Sequence, residues 1–145
     1  MIGILVVTHG QLARELVTAA EMIVGDIPNV AAVSIGWHDD PDDAQKEILE
    51  GIKRVETGEG TVVLTDMFGG TPSNLSLAFL ERDRVEVVTG VNLPMLIKLV
   101  SLRGADGVDL EKAARQVSAQ GKESICLASD LLAAKGAGGS EESRG

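Results

Sequence analysis

Short apolar runs rich in β-branched residues alternate with segments of helical periodicity along most of this chain. The runs predict four buried strands, at residues 2–7, 30–35, 60–65 and 84–90. The segments between and after them repeat apolar residues every three or four positions, as on one helix face; they are residues 11–25, 39–54, 72–80, 92–104 and 109–121. In the first helix the predicted inward face consists of Leu12, Leu16, Ala19, Ala20 and Ile23. This alternation predicts an α/β fold, a mainly parallel sheet with helices on both faces.

The order of the strands in such a sheet follows from the way the strands are connected. Right-handed crossovers favour a doubly wound sheet with the order 2-1-3-4, in which the first and third strands are neighbours. Ligands of doubly wound sheets bind beyond the carboxyl ends of the strands, where the strand order changes direction. We therefore expect the loops after the first and third strands to form a binding site together.

The C-terminal region has weaker signals. Residues 123–127 predict a short final strand at the edge of the sheet. The stretch beyond residue 131 is rich in Ala, Gly and Ser, a composition typical of a flexible tail. We expect one domain at residues 1–131, large enough to bury a single core, and a tail at residues 132–145.

The charge and the cysteine content exclude several classes of function. The chain has a net charge of −9, whereas nucleic acids and anionic membranes are bound through clustered Lys and Arg. We expect no nucleic acid, and membrane contact only indirectly. Cys126 is the only cysteine, which excludes a disulfide within the chain and a cysteine-based metal site. The N-terminal segment lacks the features of a signal peptide, so we expect a cytoplasmic protein.

One histidine and one aspartate occupy the expected binding edge. His9 stands two residues beyond the first predicted strand, and Asp66 directly follows the third. A carboxylate that accepts a hydrogen bond from one imidazole nitrogen leaves the other nitrogen as a nucleophile, which can form covalent intermediates. A loop histidine without a role and a helix-capping aspartate are the simpler interpretations. The position of His9 and Asp66, where the strand order changes direction, nevertheless favours a catalytic pair.

The glycine-rich segment after the third strand favours binding of an anion beside this pair. Gly69 and Gly70 allow a sharp turn with exposed amides. Thr71 is predicted to cap a helix that begins at Pro72. Free amides at a helix start bind phosphate without a lysine, and the hydroxyl groups of Thr71 and Ser73 would add donors. Alone, the segment is also a well-formed helix start; beside a nucleophilic histidine it indicates a bound phosphoryl group.

A nucleotide or a metal ion would require other motifs. The chain has no Walker motif and no dinucleotide glycine fingerprint, so no cofactor is predicted. A metal-dependent hydrolase is an alternative, because His38, Asp39 and Asp40 follow the second strand and would lie at the same edge. Their spacing matches no recognised set of metal ligands, so no metal site is predicted. Trp37 is expected to be a partly exposed aromatic residue at a contact surface.

Three segments, in order, resemble the A component (EIIA) of the mannose class of phosphoenolpyruvate-dependent sugar phosphotransferase systems. They are VTHG near the start, TDMFGGTPSN near the middle and VVTGVNLPML at residues 87–96. The resemblance extends from residue 1 to about residue 131. A more distant similarity is to the phosphotransfer domain of phosphoenolpyruvate-dependent dihydroxyacetone kinase, which shares the fold and the histidine.

The resemblance implies that His9 accepts a phosphoryl group from the phosphocarrier HPr and passes it to an EIIB component. Asp66 matches the family's histidine-orienting carboxylate, and Thr71 matches the hydroxyl residue near the phosphoryl group. The resemblance also implies a homodimer in which the last strand, here about residues 123–127, is exchanged between subunits. Some members continue into a fused EIIB domain, whereas this chain ends at Gly145; we expect its acceptor to be a separate polypeptide.

Two other functions are compatible with the same residues. The protein could be a regulatory module whose phosphorylation controls the binding of a partner, or the phosphotransfer subunit of a dihydroxyacetone kinase. In the resembling systems the sugar is selected by membrane components. The sequence therefore does not identify a sugar.

Overall fold

Four parallel strands form a sheet that has helices on both faces. The structure is a computed structural model, and it describes residues 1–137. The strands are β1 (Gly3–His9), β2 (Val30–Ile35), β3 (Thr61–Thr65) and β4 (Val85–Thr89). The helices are α1 (Leu12–Val24), α2 (Pro41–Val55), α3 (Thr71–Leu77), α4 (Leu93–Leu102), α5 (Leu110–Glu123) and α6 (Ala128–Ala137). No helix within residues 1–137 combines the length and the apolar character needed to cross a bilayer.

The strand order is β2-β1-β3-β4, which confirms the doubly wound order predicted from the sequence. β1 lies between β2 and β3, and Val7 is in register with Val33 on one side and with Thr65 on the other. Because every pair of strands is parallel, the carboxyl ends of the strands lie at one edge of the sheet. The loops after β1 and β3 meet at that edge.

β1 is apolar on both faces because each face packs against its own helical layer. Ile4 and Val6 belong to a buried cluster with residues of α1, α4 and α5. Leu5 and Val7 belong to a second cluster with residues of α2, on the face that also contacts α3. Full burial of such a side chain contributes about 1.5–3 kcal/mol. Since side chains alternate along a strand, His9 lies on the same face as Val7, toward α2 and α3.

A hydrogen bond connects the start of α1 to the end of β1. The side chain of the N-cap residue Gln11 makes no capping hydrogen bond to the backbone of this helix. Instead, the buried hydroxyl of Thr8 accepts a hydrogen bond from the backbone N–H of Ala13 at 2.6 Å. This hydrogen bond anchors the residue that precedes His9.

The buried face of α1 agrees with the predicted one only in part. Ala20 is buried and Leu16 packs against the core, as predicted. Ala13 is buried as well, whereas Leu12 and Ile23, two residues of the predicted inward face, are largely exposed. α1 lies against β1 and β2, and small alanine side chains allow that close approach. The larger side chains at the two ends of the helix consequently face solvent.

The C-terminal segment also departs from the prediction. α5 extends through Glu123, and residues 125–127 belong to no helix or strand of the described chain. The side chains of Ile125 and Leu127 are exposed. A strand requires a neighbour that exchanges hydrogen bonds with it, and the free edge of β4 does not pair with this segment. The final strand predicted at residues 123–127 therefore does not form within a single chain.

The tail predicted from residue 132 begins inside a helix. α6 extends to Ala137, and the side chains of residues 128–136 are exposed. Alanine and leucine, which are frequent in this segment, favour helix formation, and this preference accounts for the difference. Residues 138–145 lie outside the described residues, and a domain boundary at residue 131 stays a prediction.

A buried arginine joins several segments at the opposite edge of the sheet. Arg103, just after α4, is 3% exposed. Its guanidinium donates hydrogen bonds to the carbonyl oxygens of Ile2 and Asn29, each at 3.3 Å, and to that of Pro28. Burial lowers the pKa of the Arg103 guanidinium, and the three carbonyl acceptors stabilise its charged form.

Candidate functional site

His9 and Asp66 are in direct contact at the carboxyl edge of the sheet. His9 is the last residue of β1 and does not lie beyond the strand as predicted, because β1 stays in register with β2 as far as Ile35. Oδ2 of Asp66 lies 2.7 Å from the ring Nδ1 of His9 and 3.0 Å from its backbone nitrogen. The structure thus brings together the two residues that the sequence analysis paired.

These hydrogen bonds determine how the imidazole is presented. The carboxylate of Asp66 can only accept, so the short hydrogen bond requires a proton on Nδ1. In the neutral ring the lone pair is then on Nε2. The side chain of His9 is 52% exposed, whereas that of Asp66 is 14% exposed. Asp66 therefore holds the ring from the protein side and leaves Nε2 available for chemistry.

The pKa of the Asp66 carboxyl group lies below its usual value of 3.8. Burial alone would raise this pKa, because it disfavours the charged form. The hydrogen bonds from the backbone and the ring of His9, together with the positive charge of the protonated ring, lower it by more. Asp66 is consequently ionised at neutral pH, and it can stabilise positive charge that develops on the imidazole during a reaction.

A glycine turn brings the start of α3 against this ring. Gly69 has a φ of +91°, in the left-handed region that glycine adopts without strain. The chain then enters α3 through Gly70. A Cβ atom placed on Gly70 would lie 2.8 Å from Cε1 of His9. The backbone of Gly70 therefore lies at the edge of the imidazole.

Thr71 does not cap α3 as predicted; it is the first residue of the helix. The N-cap residue is Gly70, and no side chain within residues 1–137 accepts a hydrogen bond from the first turn of α3 as a cap. Gly70 has no side chain that could do so. Thr71 is exposed and lines the same cleft as His9. Thr71 is therefore accessible beside His9, and the binding of a phosphoryl group by Thr71 and Gly70 stays a prediction.

Ser73, the other predicted donor to a phosphoryl group, is fully buried in α3. Its Oγ has no hydrogen-bond partner among residues 1–137. The structure does not bring this hydroxyl group to the exposed side of the site. A role of Ser73 in binding phosphate stays a prediction.

An open cleft of about 590 Å³ lies beside His9. Its other wall is the loop after β2, with Gly36, Trp37 and Asp39, followed by the start of α2. Oδ2 of Asp39 accepts a hydrogen bond from the backbone N–H of Gly36 at 2.7 Å, so this carboxylate shapes its own loop. Within residues 1–137, no three or more His, Cys, Asp or Glu side chains form a group that could hold a metal ion.

Exposed apolar side chains flank His9 on two loops. Trp37 was expected to be partly exposed at a contact surface; it is 98% exposed, and a contact there stays a prediction. Met67 and Phe68 in the loop after β3 are also exposed. We call these three residues the apolar rim. Met67 and Phe68 were not predicted to belong to the site, although a pair of large apolar residues in a loop, where turns usually have polar ones, was an available signal.

The model of the EIIA-man family, described as PTS system fructose IIA component, matches residues 3–118. The chain is 33% identical over 111 residues to the PTS system mannose-specific EIIAB component of Escherichia coli (strain K12), an alignment that covers 72% of the chain and 33% of that protein. The chain thus spans about a third of the length of this relative. It is 29% identical over 133 residues to the PTS system fructose-specific EIIA component of Bacillus subtilis (strain 168), which covers 91% of the chain and 90% of that protein.

The fold has a close counterpart among solved structures. The crystal structure of phosphotransferase system component EIIA from Streptococcus agalactiae superposes with a TM-score of 0.80 and 26% identity, and covers 90% of this chain and 99% of that one. The region matched by the family includes His9, Asp66 and the glycine turn. The protein is therefore a member of the mannose-type EIIA family of the sugar phosphotransferase system (PTS), whose members are phosphotransferase components.

Proposed function

We propose that the protein is a phosphoryl carrier that accepts a phosphoryl group from phospho-HPr on Nε2 of His9 and passes it to an EIIB component. The observation that carries this proposal is the 2.7 Å hydrogen bond between Asp66 and Nδ1. It leaves the lone pair on Nε2, in a ring that lines an open cleft. Membership in the EIIA family supports the same function.

The transfer step needs no group other than the two proteins. The lone pair of Nε2 attacks the phosphorus atom and forms a P–N bond, while the bond to the donor's leaving atom breaks and that atom keeps the electron pair. The proton stays on Nδ1, where Asp66 stabilises the positive ring. Transfer to EIIB repeats the step with His9 as the leaving group. Phosphoryl transfer of this kind depends mainly on alignment and charge stabilisation.

Groups at the start of α3 would stabilise the transferred phosphoryl oxygens. Thr71 is exposed in the cleft, and the first-turn amides of α3 have no side-chain cap among the described residues. The backbone of Gly70 lies against the ring and would be close to a group on Nε2. Ser73 would contribute only if its buried hydroxyl group became accessible.

The apolar rim and the acidic charge of the chain suit the docking of a protein partner with a basic surface. Trp37 and Phe68 supply aromatic area of the kind enriched in protein interfaces. The net charge of −9 would attract a basic phosphocarrier and accelerate its association. We also propose a cytoplasmic location, with membrane contact only through the transporter complex.

A homodimer with exchange of the C-terminal segment is the proposed assembly. A groove of about 800 Å³ lies between the free edge of β4 and α5. Ile125 and Leu127, which follow α5, are exposed and unpaired within the described chain. A partner's segment at the β4 edge would pair as a strand. Sedimentation of the wild type and of an Ile125→Ser/Leu127→Ser double variant would test this, because the variant should dissociate at a higher concentration.

The two histidines of the chain provide a matched experiment for phosphoryl transfer. The wild type, His9→Ala and His38→Ala are incubated with phosphoenolpyruvate, enzyme I and HPr, and the intact mass is measured. We expect one added phosphoryl group, stable to alkali and labile to acid, on the wild type and on His38→Ala only. Adding EIIB should then remove it. A wild type that gains no mass, or a His9→Ala variant that gains it, would contradict the proposal.

A further inference from the structure

The backbone of Gly70 approaches His9 more closely than any side chain at that position would permit. A Cβ atom on Gly70 would lie 2.8 Å from Cε1 of His9 and 3.4 Å from Nε2. Favourable contacts between carbon atoms lie at about 3.5–4.0 Å, so the first of these distances is a clash. The ring would have to move to make room for the added atom.

The backbone conformation of Gly70 does not by itself require glycine. Its φ of −87° and ψ of 170° lie in the extended region that every residue adopts. Gly69 differs in this respect, because its positive φ favours glycine whatever surrounds it. The imidazole of His9 is therefore the feature of the structure that excludes a side chain at Gly70.

We propose that Gly70 is a positioning residue for His9, an inference that deepens the proposed phosphoryl transfer and rests on it for its functional meaning. Asp66 holds the ring by a hydrogen bond at Nδ1, and the missing side chain of Gly70 leaves free the space beside Cε1 and Nε2. A side chain at position 70 would push the ring out of this orientation and strain its hydrogen bond to Asp66. The direction of Nε2 that Asp66 sets therefore depends on the absence of a side chain at Gly70.

A Gly70→Ala substitution should therefore displace the imidazole without disturbing the fold. The clash involves the end of a half-exposed side chain, which can rotate, and the nearest other atom to the new methyl group is Cγ of Met67 at 3.5 Å, an ordinary contact. A displacement of about 1 Å can reduce a reaction rate by about 100-fold. We expect phosphorylation of Gly70→Ala to be at least about 10-fold slower in kcat, with a smaller change in KM for phospho-HPr.

Gly104→Ala is the matched control. Gly104 lies after α4, and a Cβ atom there would meet no atom of the described chain within 4 Å beyond its sequence neighbours. This variant makes the same chemical change away from the site. We expect its phosphorylation rate and its imidazole signals to equal those of the wild type.

The decisive measurement reads the ring directly and does not need a donor protein. In 15N NMR spectra, wild-type His9 should favour the tautomer with the proton on Nδ1, and Gly70→Ala should shift toward a mixture of tautomers.

A double-mutant cycle adds a second test: Gly70→Ala should lower Tm in the wild-type background but not in the His9→Ala background, where no ring is present. An unchanged tautomer ratio in Gly70→Ala, or an equal loss of Tm in both backgrounds, would overturn the proposal.

The same measurements separate this inference from the proposed function. If the wild type is not phosphorylated while Gly70→Ala still changes the tautomer ratio, phosphoryl transfer is refuted and the positioning role of Gly70 stands. If the wild type is phosphorylated and Gly70→Ala matches it in both rate and tautomer ratio, the positioning role is refuted and phosphoryl transfer stands. A Gly70→Ala variant that fails to fold would also overturn the inference, unless His9→Ala restores its folding.

Discussion

One carboxylate oxygen of Asp66 accepts two hydrogen bonds from His9, from the ring Nδ1 at 2.7 Å and from the backbone N–H at 3.0 Å. The same atom therefore fixes the end of β1 and the orientation of the side chain that leaves it. Asp66 itself directly follows β3, the neighbour of β1 in the sheet. The parallel pairing of two strands thus positions the ring, since both partners are held by the sheet.

Asp66→Asn should keep the fold and nearly abolish phosphorylation. The amide group of asparagine can donate to Nδ1, which favours the opposite tautomer, with the proton on Nε2 and no lone pair there. In the comparable Asp–His arrangement of serine proteases, this change lowers the rate by about 10⁴-fold. We expect a loss of about 10²–10⁴-fold in the initial rate of phosphorylation, measured by intact mass. Asp106→Asn, which removes the same charge from an exposed loop, should react at the wild-type rate.

The lowered pKa of Asp66 predicts a specific dependence of stability on pH. The pKa of such a carboxyl group is lower in the folded than in the unfolded state. The group stabilises the fold when the pH is above the unfolded pKa, and this stabilisation is lost as the pH falls through the folded pKa. That loss should occur below about pH 4. In urea unfolding, the free energy of unfolding of the wild type should fall relative to that of Asp66→Asn in this range. If the two free energies differed by the same amount at pH 3 and at pH 7, the lowered pKa of Asp66 would be contradicted.

Trp37→Ala should weaken docking of the donor without affecting the fold. The side chain is 98% exposed, so its removal should leave Tm unchanged. Exposed aromatic residues that become buried in an interface often contribute more than 1 kcal/mol, which corresponds to about a fivefold change in affinity. We expect KM for phospho-HPr to rise about fivefold or more, with kcat little changed. Met22→Ala, an exposed apolar residue near the far end of α1, should leave KM unchanged.

The strand order and the location of the site could be predicted because they depend on patterns that act over whole elements. β1 is apolar on both faces, which requires helical layers on both sides. Parallel connections then allow few arrangements. His9 lies at the end of β1, and Asp66 follows the neighbouring strand β3, so the proximity of the two residues could be expected before any contact was known.

Features that depend on single contacts could not be predicted in the same way. The proximity of Gly70 to the imidazole arises from the path of the backbone, which a glycine permits but does not specify. Thr71 has the residue type of an N-cap, yet the helix begins one residue earlier and the cap position is Gly70. For residues 125–127, strand formation depends on a partner edge, which the sequence of the segment does not encode.

Arg103 was also not predicted, because its acceptors are backbone carbonyl oxygens, which have no signature in a sequence.

Arg103→Met should destabilise the protein by about 1–3 kcal/mol, since it removes the donor to three carbonyl groups at the starts of β1 and β2. Arg115→Met is the matched control: Arg115 is exposed and, among residues 1–137, is paired with Glu111 on α5 alone, so we expect a loss below about 1 kcal/mol. Urea unfolding measures both variants. Because Arg103 lies at the edge opposite His9, the phosphorylation rate of folded Arg103→Met should equal that of the wild type; a slower rate would mean that the packing of α4 reaches the site.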